Sequence, residues 1–194
     1  MKSFLFKLLF LAAVFGMSLP LSAASEIIIE KIPGAFKRLS VKMDGPNAPV
    51  HISIVAEKGQ ILIEKHTDAG AIFDLAKLRE GNFTIVVSSS LREIQQPMLI
   101  TSMDIIIQDY LRREIFAPVW RIQDNILDLN WFSTKVSSIH LAIISDGGEE
   151  IFAESLKNII RLERRYDLRA LKKGTYTLNI TTPDKVYSQA CRLP

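Results

Sequence analysis

The sequence predicts an all-β chain made of two consecutive β-sandwich domains, and three observations carry that prediction. One stretch occurs twice. It runs Val50-His51-Ile52-Ser53-Ile54 to Gly59, then Phe73-Asp74-Leu75, Leu78 and Gly81-Asn82-Phe83-Thr84-Ile85. It returns as Ile139-His140-Leu141-Ala142-Ile143 to Gly148, then Tyr166-Asp167-Leu168, Leu171 and Gly174-Thr175-Tyr176-Thr177-Leu178. The copies match at a register of 89 up to the first glycine and 93 beyond it, the mark of a duplicated structural unit. Within each copy the pattern has a period of two: Val50, Ile52 and Ile54 alternate with His51 and Ser53, as Ile139, Leu141 and Ile143 alternate with His140 and Ala142. Such alternation puts one face of a strand into a core. Turn chemistry separates the runs, as in Glu57-Lys58-Gly59, Asp146-Gly147-Gly148, Gly45-Pro46-Asn47 and Thr182-Pro183-Asp184. Short strands punctuated in this way read as a sandwich.

In chain order, residues 1–24 read as a cleaved secretory signal peptide. Lys2 and Lys7 bracket the start of an apolar run, Leu8 to Phe15, and Ser22-Ala23-Ala24 offers the small residues a signal peptidase needs. The expected product is exported, periplasmic or extracellular. No other stretch approaches the roughly 18 apolar residues of a membrane-spanning helix. Without its two leader lysines the chain holds 22 basic against 21 acidic residues, so nothing in its charge favours a nucleic-acid partner. Cys191 is the single cysteine, which excludes an intramolecular disulfide and leaves stability to apolar packing.

The duplication divides the remainder into modules at 25–102 and 103–194. Upstream of the repeat, Glu26-Ile27-Ile28-Ile29-Glu30-Lys31 finds a match in Asp104-Ile105-Ile106-Ile107-Gln108-Asp109, at a register of 78. Leu39 to Met43 matches Leu127 to Trp131 at 88, which implies a ten-residue insertion at about Leu111–Trp120. Further strands are expected at Gln60–Lys65 and Glu149–Glu154, at Phe83–Val87 and Tyr176–Ile180, and at Ile94–Thr101 and Val186–Leu193. Ser155 to Lys173 can be drawn as a basic amphipathic helix. The alternation of Ile160, Leu162, Tyr166 and Leu168, with the strand-like match in the first copy, favours a strand.

The string of strand, acidic-x-Gly turn, strand and (Phe/Tyr)-Asp-Leu-x-x-Leu-x-x-Gly-x-(Phe/Tyr)-Thr resembles a group of immunoglobulin-like modules. These belong to small exported Gram-negative proteins, including the C-terminal sorting domains of the Por secretion system and a related secreted family of unknown function. Asp146-x-Gly148, Tyr166-Asp167-Leu168 and Gly174-Thr175-Tyr176-Thr177 carry the resemblance, while Glu57 and Phe83 depart from it in the first copy. It implies tandem immunoglobulin-like, fibronectin III-like sandwiches with structural or adhesive roles. In related sandwiches a Tyr placed like Tyr176 bonds back to the chain through its hydroxyl, a tyrosine corner, which Phe83 cannot form.

Few residues offer chemistry. His51 and His140 hold equivalent outward positions and His66 stands apart, so no convergent metal site is expected. Asp74 and Asp167 recur singly, one per module, and suit a turn-forming bond to backbone better than paired acid catalysis. No Gly-x-Ser-x-Gly elbow, phosphate loop or Cys–His pairing occurs, and Cys191 reads as a small core residue. No enzyme activity and no cofactor are expected. Trp131 takes the place of Met43 in the alternation and belongs in a core. Arg112, Arg113, Phe116 and Trp120, all in the insertion, are the candidate partner-binding residues, against the plainer reading that the insertion covers the junction. The basic run Arg161, Arg164, Arg165, Arg169, Lys172 and Lys173 is interrupted by Glu163 and Asp167 and reads as a solvated face. The expectation is a non-catalytic exported binding or structural protein that meets an envelope protein or a glycan. The alternative is an envelope assembly subunit that donates the strand at Glu26–Ile29 to a neighbour.

Overall fold

The computed structural model describes residues 26–44 and 49–194; the expected leader and the Gly45-Pro46-Asn47 turn lie outside the described residues. Strands β1 (Glu26–Lys31), β2 (Arg38–Asp44) and β5 (Ala71–Asp74) form one antiparallel sheet in the order β1-β2-β5. Facing it, β3 (Val50–Ala56), β4 (Ile61–Thr67), β6 (Gly81–Ser88) and β7 (Arg92–Ile100) are ordered β4-β3-β6-β7. The inward residues of both sheets meet in one core, with Leu39, Val41 and Phe73 from the first and Ile52, Ile54, Ile85, Ile94 and Met98 from the second. These are the alternating apolar positions of the sequence, and burying them is the main favourable term of the fold. Three strands against four, in this order, make a fibronectin III-like sandwich.

The second copy repeats the pairing with longer strands. β11 (Ile126–Ser145) and β12 (Glu150–Asp167) each run through both layers, accompanied by β10 (Val119–Gln123), β13 (Gly174–Thr181) and β14 (Val186–Leu193). The first part of β11 pairs with β10 and with the end of β12, as β2 pairs with β1 and β5. Its last part pairs with the start of β12 and with β13, as β3 pairs with β4 and β6. Leu39 lies opposite Phe73 and Leu127 opposite Tyr166; Val50 lies opposite Thr67 and Ile139 opposite Leu156. The halves of the bent sheet close on two apolar clusters, one holding Leu127, Ile143 and Leu178 and the other Leu129, Trp131, Leu141 and Ile180.

The four-residue difference between the copies falls where the chain changes layer. In the first copy it is a tight corner: Thr67 Oγ1 donates to Gly70 O (3.0 Å) and accepts from Ala69 N (3.2 Å). Gly70 has φ +86°, and a Cβ there would lie 2.4 Å from Val41 O, so only glycine fits. In the second copy β12 continues instead, with Asn158 at φ 57° in the bend. The Ser155 to Lys173 stretch is thus a strand as far as Asp167.

One match between the copies fails. Ile105–Ile107 is not the first strand of the second sandwich; it forms β8, which pairs with β7 (Met98 opposite Ile107). Thr101 and Asp104 close a turn, Thr101 N donating to Asp104 O at 2.9 Å and Asp104 N to Thr101 Oγ1 at 3.0 Å, and this folds the chain back on β7. The resemblance to β1 was one of composition, three isoleucines in a row, and β10 holds the place of β1. After a 3-10 turn at Asp109–Leu111, β9 (Arg113–Phe116) also pairs with β7, opposite Arg92–Gln95. The sheet that holds β7, and with it the first sandwich, therefore runs on to Phe116.

Local expectations hold at three positions. The Tyr176 hydroxyl donates to Lys172 O at 2.8 Å, a tyrosine corner. Asp74 Oδ1 accepts from Ala76 N and Asp167 Oδ1 from Arg169 N, both at 3.0 Å, as turn-forming aspartates do.

Candidate functional site

Two residues, Ala117 and Pro118, separate β9 in the first sandwich from β10 in the second. Ala117 N donates to Leu91 O (2.8 Å), and Pro118 is buried. Phe116 O accepts from Trp131 Nε1 (3.2 Å) and from the Tyr187 hydroxyl (3.4 Å), both in the second sandwich. The Phe116 ring meets Phe132 edge-on, with centroids 5.3 Å apart. Charge pairs flank this seam. Arg113 Nη2 donates to Asp184 Oδ1 (2.5 Å), with Lys135 Nζ 3.6 Å from the same oxygen, and Lys185 Nζ donates to Glu93 Oε2 (3.1 Å). Burial opposes ionisation of Glu93, but hydrogen bonds from Gln95, Lys185 and Ser88 and the Lys185 charge outweigh it and hold its carboxyl below the usual range.

Beside the seam lies a cleft of about 700 Å³, walled by both sandwiches. Leu91, Phe116 and Ala117 approach from the first, and Val119, Trp131 and Phe132 from the second. Leu91, Val119 and Phe132 are 60%, 51% and 46% exposed, large apolar groups left facing water in one place. Scattered exposed hydrophobics are ordinary, but a concave cluster of them is the form a binding site takes. The charges at its margin are matched: Arg92 Nη1 lies 2.7 Å from Glu114 Oε1, and Arg161 pairs with Glu163. The cleft therefore offers shape and apolar surface rather than charge.

Of the four partner-binding candidates, only Phe116 lines this cleft. Arg112 and Arg113 border a smaller pocket of about 350 Å³ on the other side of Phe132. Arg112 Nη2 donates to Ile27 O (3.1 Å), covering the open edge of β1. Trp120 is half-buried on β10, packed against both clusters of the second sandwich. Trp131 is buried, as the alternation required. Sequence reasoning missed Leu91, Val119 and Phe132. Phe132 carried a signal, since it takes an outward position directly after a buried tryptophan.

The histidines are arranged differently from expectation. His66 does not stand apart. It lies opposite His51 across β3 and β4, the rings stacked with centroids 4.6 Å apart. His140 in the second sandwich meets Ser155 Oγ through Nδ1 at 2.8 Å. Other reactive groups are held quiet. Asp167 is drawn down to about 2 by side-chain and backbone hydrogen bonds from Arg169, which suits a turn anchor and not a proton donor. Burial pushes the Cys191 thiol up, away from the thiolate a nucleophile needs. In the basic run, Arg165 pairs with Asp128 (2.6 Å), Arg169 with Asp167 (2.6 Å) and Arg161 with Glu163, as on a solvated face. Among the described residues no helix is long and apolar enough to cross a membrane.

No family model matches the chain, and no curated protein matches it. Solved structures that resemble it include the BSP domain of a biofilm-associated protein, at 11% identity and a TM-score of 0.27 over 87% of this chain and 29% of that one. A two-domain fibronectin type III segment of chicken tenascin resembles it at 10% identity and a TM-score of 0.30, over 87% and 98%. A tetra-tandem repeat from the extending region of a large adhesion protein does so at 15% identity and 0.29, over 88% and 49%. The chain thus spans less than a third of the first of these and about half of the third.

Proposed function

We propose that this chain is a non-catalytic, exported binding protein whose paired sandwiches hold a partner in the apolar cleft between them. The observation that carries the reading is the exposed trio Leu91, Val119 and Phe132 in one cleft whose marginal charges are already paired. Such a surface gains free energy by taking in apolar side chains, at roughly 25 cal/mol per Å² removed from water. The exposed lining of the cleft is mainly apolar, although Ser89, Ser90 and Asn130 also border it. That favours an envelope protein over a glycan, whose hydroxyls need partners of their own. The pairing of β1 with β2 in its own sandwich supports this reading over donation of that strand to a neighbouring subunit. The same view places the boundary between the modules at Ala117–Pro118 instead of residue 102, since β8 and β9 pair with β7.

The test is a screen of envelope proteins and glycans with the wild-type chain, repeated with Leu91→Asp and Phe132→Asp. Both side chains are about half exposed, so the fold should survive a charge there. Binding of a protein partner by the wild type, weakened at least tenfold by each variant, is the expected outcome. A partner held equally well by both variants would place the binding surface elsewhere.

A further inference from the structure

We infer that the outer face of the β3–β4 hairpin is a binding site for a single zinc-type divalent cation, held by His51, Glu64 and His66. The ligand-capable atoms of these three side chains all lie within 4.8 Å of one another. His51 and His66 are cross-strand partners, and Glu64 is the partner of Ser53, the next residue of β3 on the same face. Three donors drawn from neighbouring positions of two paired strands form a convergent set on a rigid support.

A second observation points at a ligand. His51 Nε2 is buried and has no hydrogen-bond partner of acceptable geometry, yet it lies 2.5 Å from Glu64 Oε1. Among the described residues Glu64 is thus the one near polar contact of that shielded nitrogen, and the stacked His66 ring brings a third donor beside the pair. A divalent cation fits between these donors, because it binds neutral imidazole and carboxylate together. Two nitrogens and one carboxylate oxygen suit Zn²⁺ and the metals near it in affinity order. Mg²⁺ and Ca²⁺ prefer all-oxygen sets. Tetrahedral zinc places its ligands about 3.3 Å apart at bond lengths near 2.0–2.1 Å, so Glu64 Oε1 must move slightly away from His51 Nε2, while any pair near the 4.8 Å limit draws in. His66 and Glu64 are exposed and free to do so. Solvent completes the fourth position.

The hairpin register creates the set. A one-residue irregularity between Ile54 and Val55 brings His66 opposite His51; an unbroken register would put Lys65 there and repel a cation. The second sandwich keeps the irregularity, between Ile143 and Ile144, and keeps the first histidine. There Ser155 faces His140, and Ala153 faces Ala142, in the places of His66 and Glu64. The duplicated half is a built-in control in which two of the three ligands are missing.

The experiment is calorimetric titration of the purified chain with zinc chloride, with magnesium and calcium chloride as comparisons. Circular dichroism of each variant confirms its fold. The wild type should bind one zinc ion with micromolar or better affinity and give no heat with magnesium or calcium. His66→Ala and Glu64→Gln should each weaken zinc at least tenfold, and His140→Ala should leave it unchanged. Substitution by cobalt should give a visible-region spectrum of tetrahedral intensity that disappears in His66→Ala. Failure of the wild type to bind zinc at 100 μM, or equal binding by His66→Ala, would overturn the inference. So would loss on His140→Ala. None of these outcomes bears on the apolar cleft, which Leu91→Asp and Phe132→Asp probe separately.

Discussion

The tyrosine corner sets the two halves apart by a single oxygen atom. Tyr176 ties β13 to the turn before it through the 2.8 Å bond to Lys172 O, while Phe83 fills the same volume in the first sandwich with no such tie. Tyr176→Phe removes the bond, leaves the ring, and should cost about 1 kcal/mol, the usual net worth of one hydrogen bond. A fall of a few degrees in melting temperature would report it, and an unchanged midpoint would mean that water replaces the bond without loss. Contacts of this kind were legible in the sequence because they close within a few residues, as do those of Asp74 and Asp167 with the amides two residues on. The meeting of His51 with His66 was not. It depends on a one-residue slip in a hairpin, and no local pattern distinguishes register 66 from register 65.

The two copies change layer by different devices, one a glycine corner and the other an unbroken strand. At Gly70 both backbone conformation and space exclude a side chain, since the added carbon would press on the carbonyl oxygen of Val41 in β2. Gly70→Ala is therefore expected to destabilise the first sandwich by about 2 kcal/mol or more, read as a lower urea midpoint. A neutral result would show that the corner can open. In the second copy the longer strands leave β12 as an edge, with Ile151, Phe152 and Ile160 exposed and Glu150, Glu154, Lys157 and Arg161 spaced among them. Charges on an edge strand discourage pairing with another chain. Strand positions were largely legible from the period of two, to the residue for Val186–Leu193. The assignment of Ile105–Ile107 was not, because three consecutive isoleucines carry no alternation to say which sheet they join. The turn at Thr101–Asp104, which decides it, lacks glycine and proline.

At the scale of the whole chain, a small number of polar contacts join the sandwiches, and Glu93 with Lys185 is one that pH can remove. The folded-state value of Glu93 lies below that of an ordinary glutamate, so its contribution is complete above the usual carboxylate range. It is lost as pH falls through the depressed value, where the protonated carboxyl no longer attracts Lys185. At neutral pH, Glu93→Gln should be less stable than wild type by about 1 kcal/mol. The gap should close in strong acid, which melting curves carried from neutral pH to well below the ordinary glutamate range would show. A difference that persists there would assign the effect to packing. The duplication and the sandwich class were legible at this scale; the cleft was not. Its walls come from Leu91, Val119 and Phe132, which are far apart in the chain and each ordinary alone.

The short passage through Ala117 and Pro118 has a mechanical consequence. Proline fixes one of its torsions, and backbone bonded into separate sheets begins on either side, so it offers almost no slack for swivelling. A pull applied at the two ends of the molecule would reach the four β9 residues that run beside β7 before any spacer could pay out. The tandem should then behave under load as a stiff rod whose weak joint is the short β7–β9 pairing at its middle.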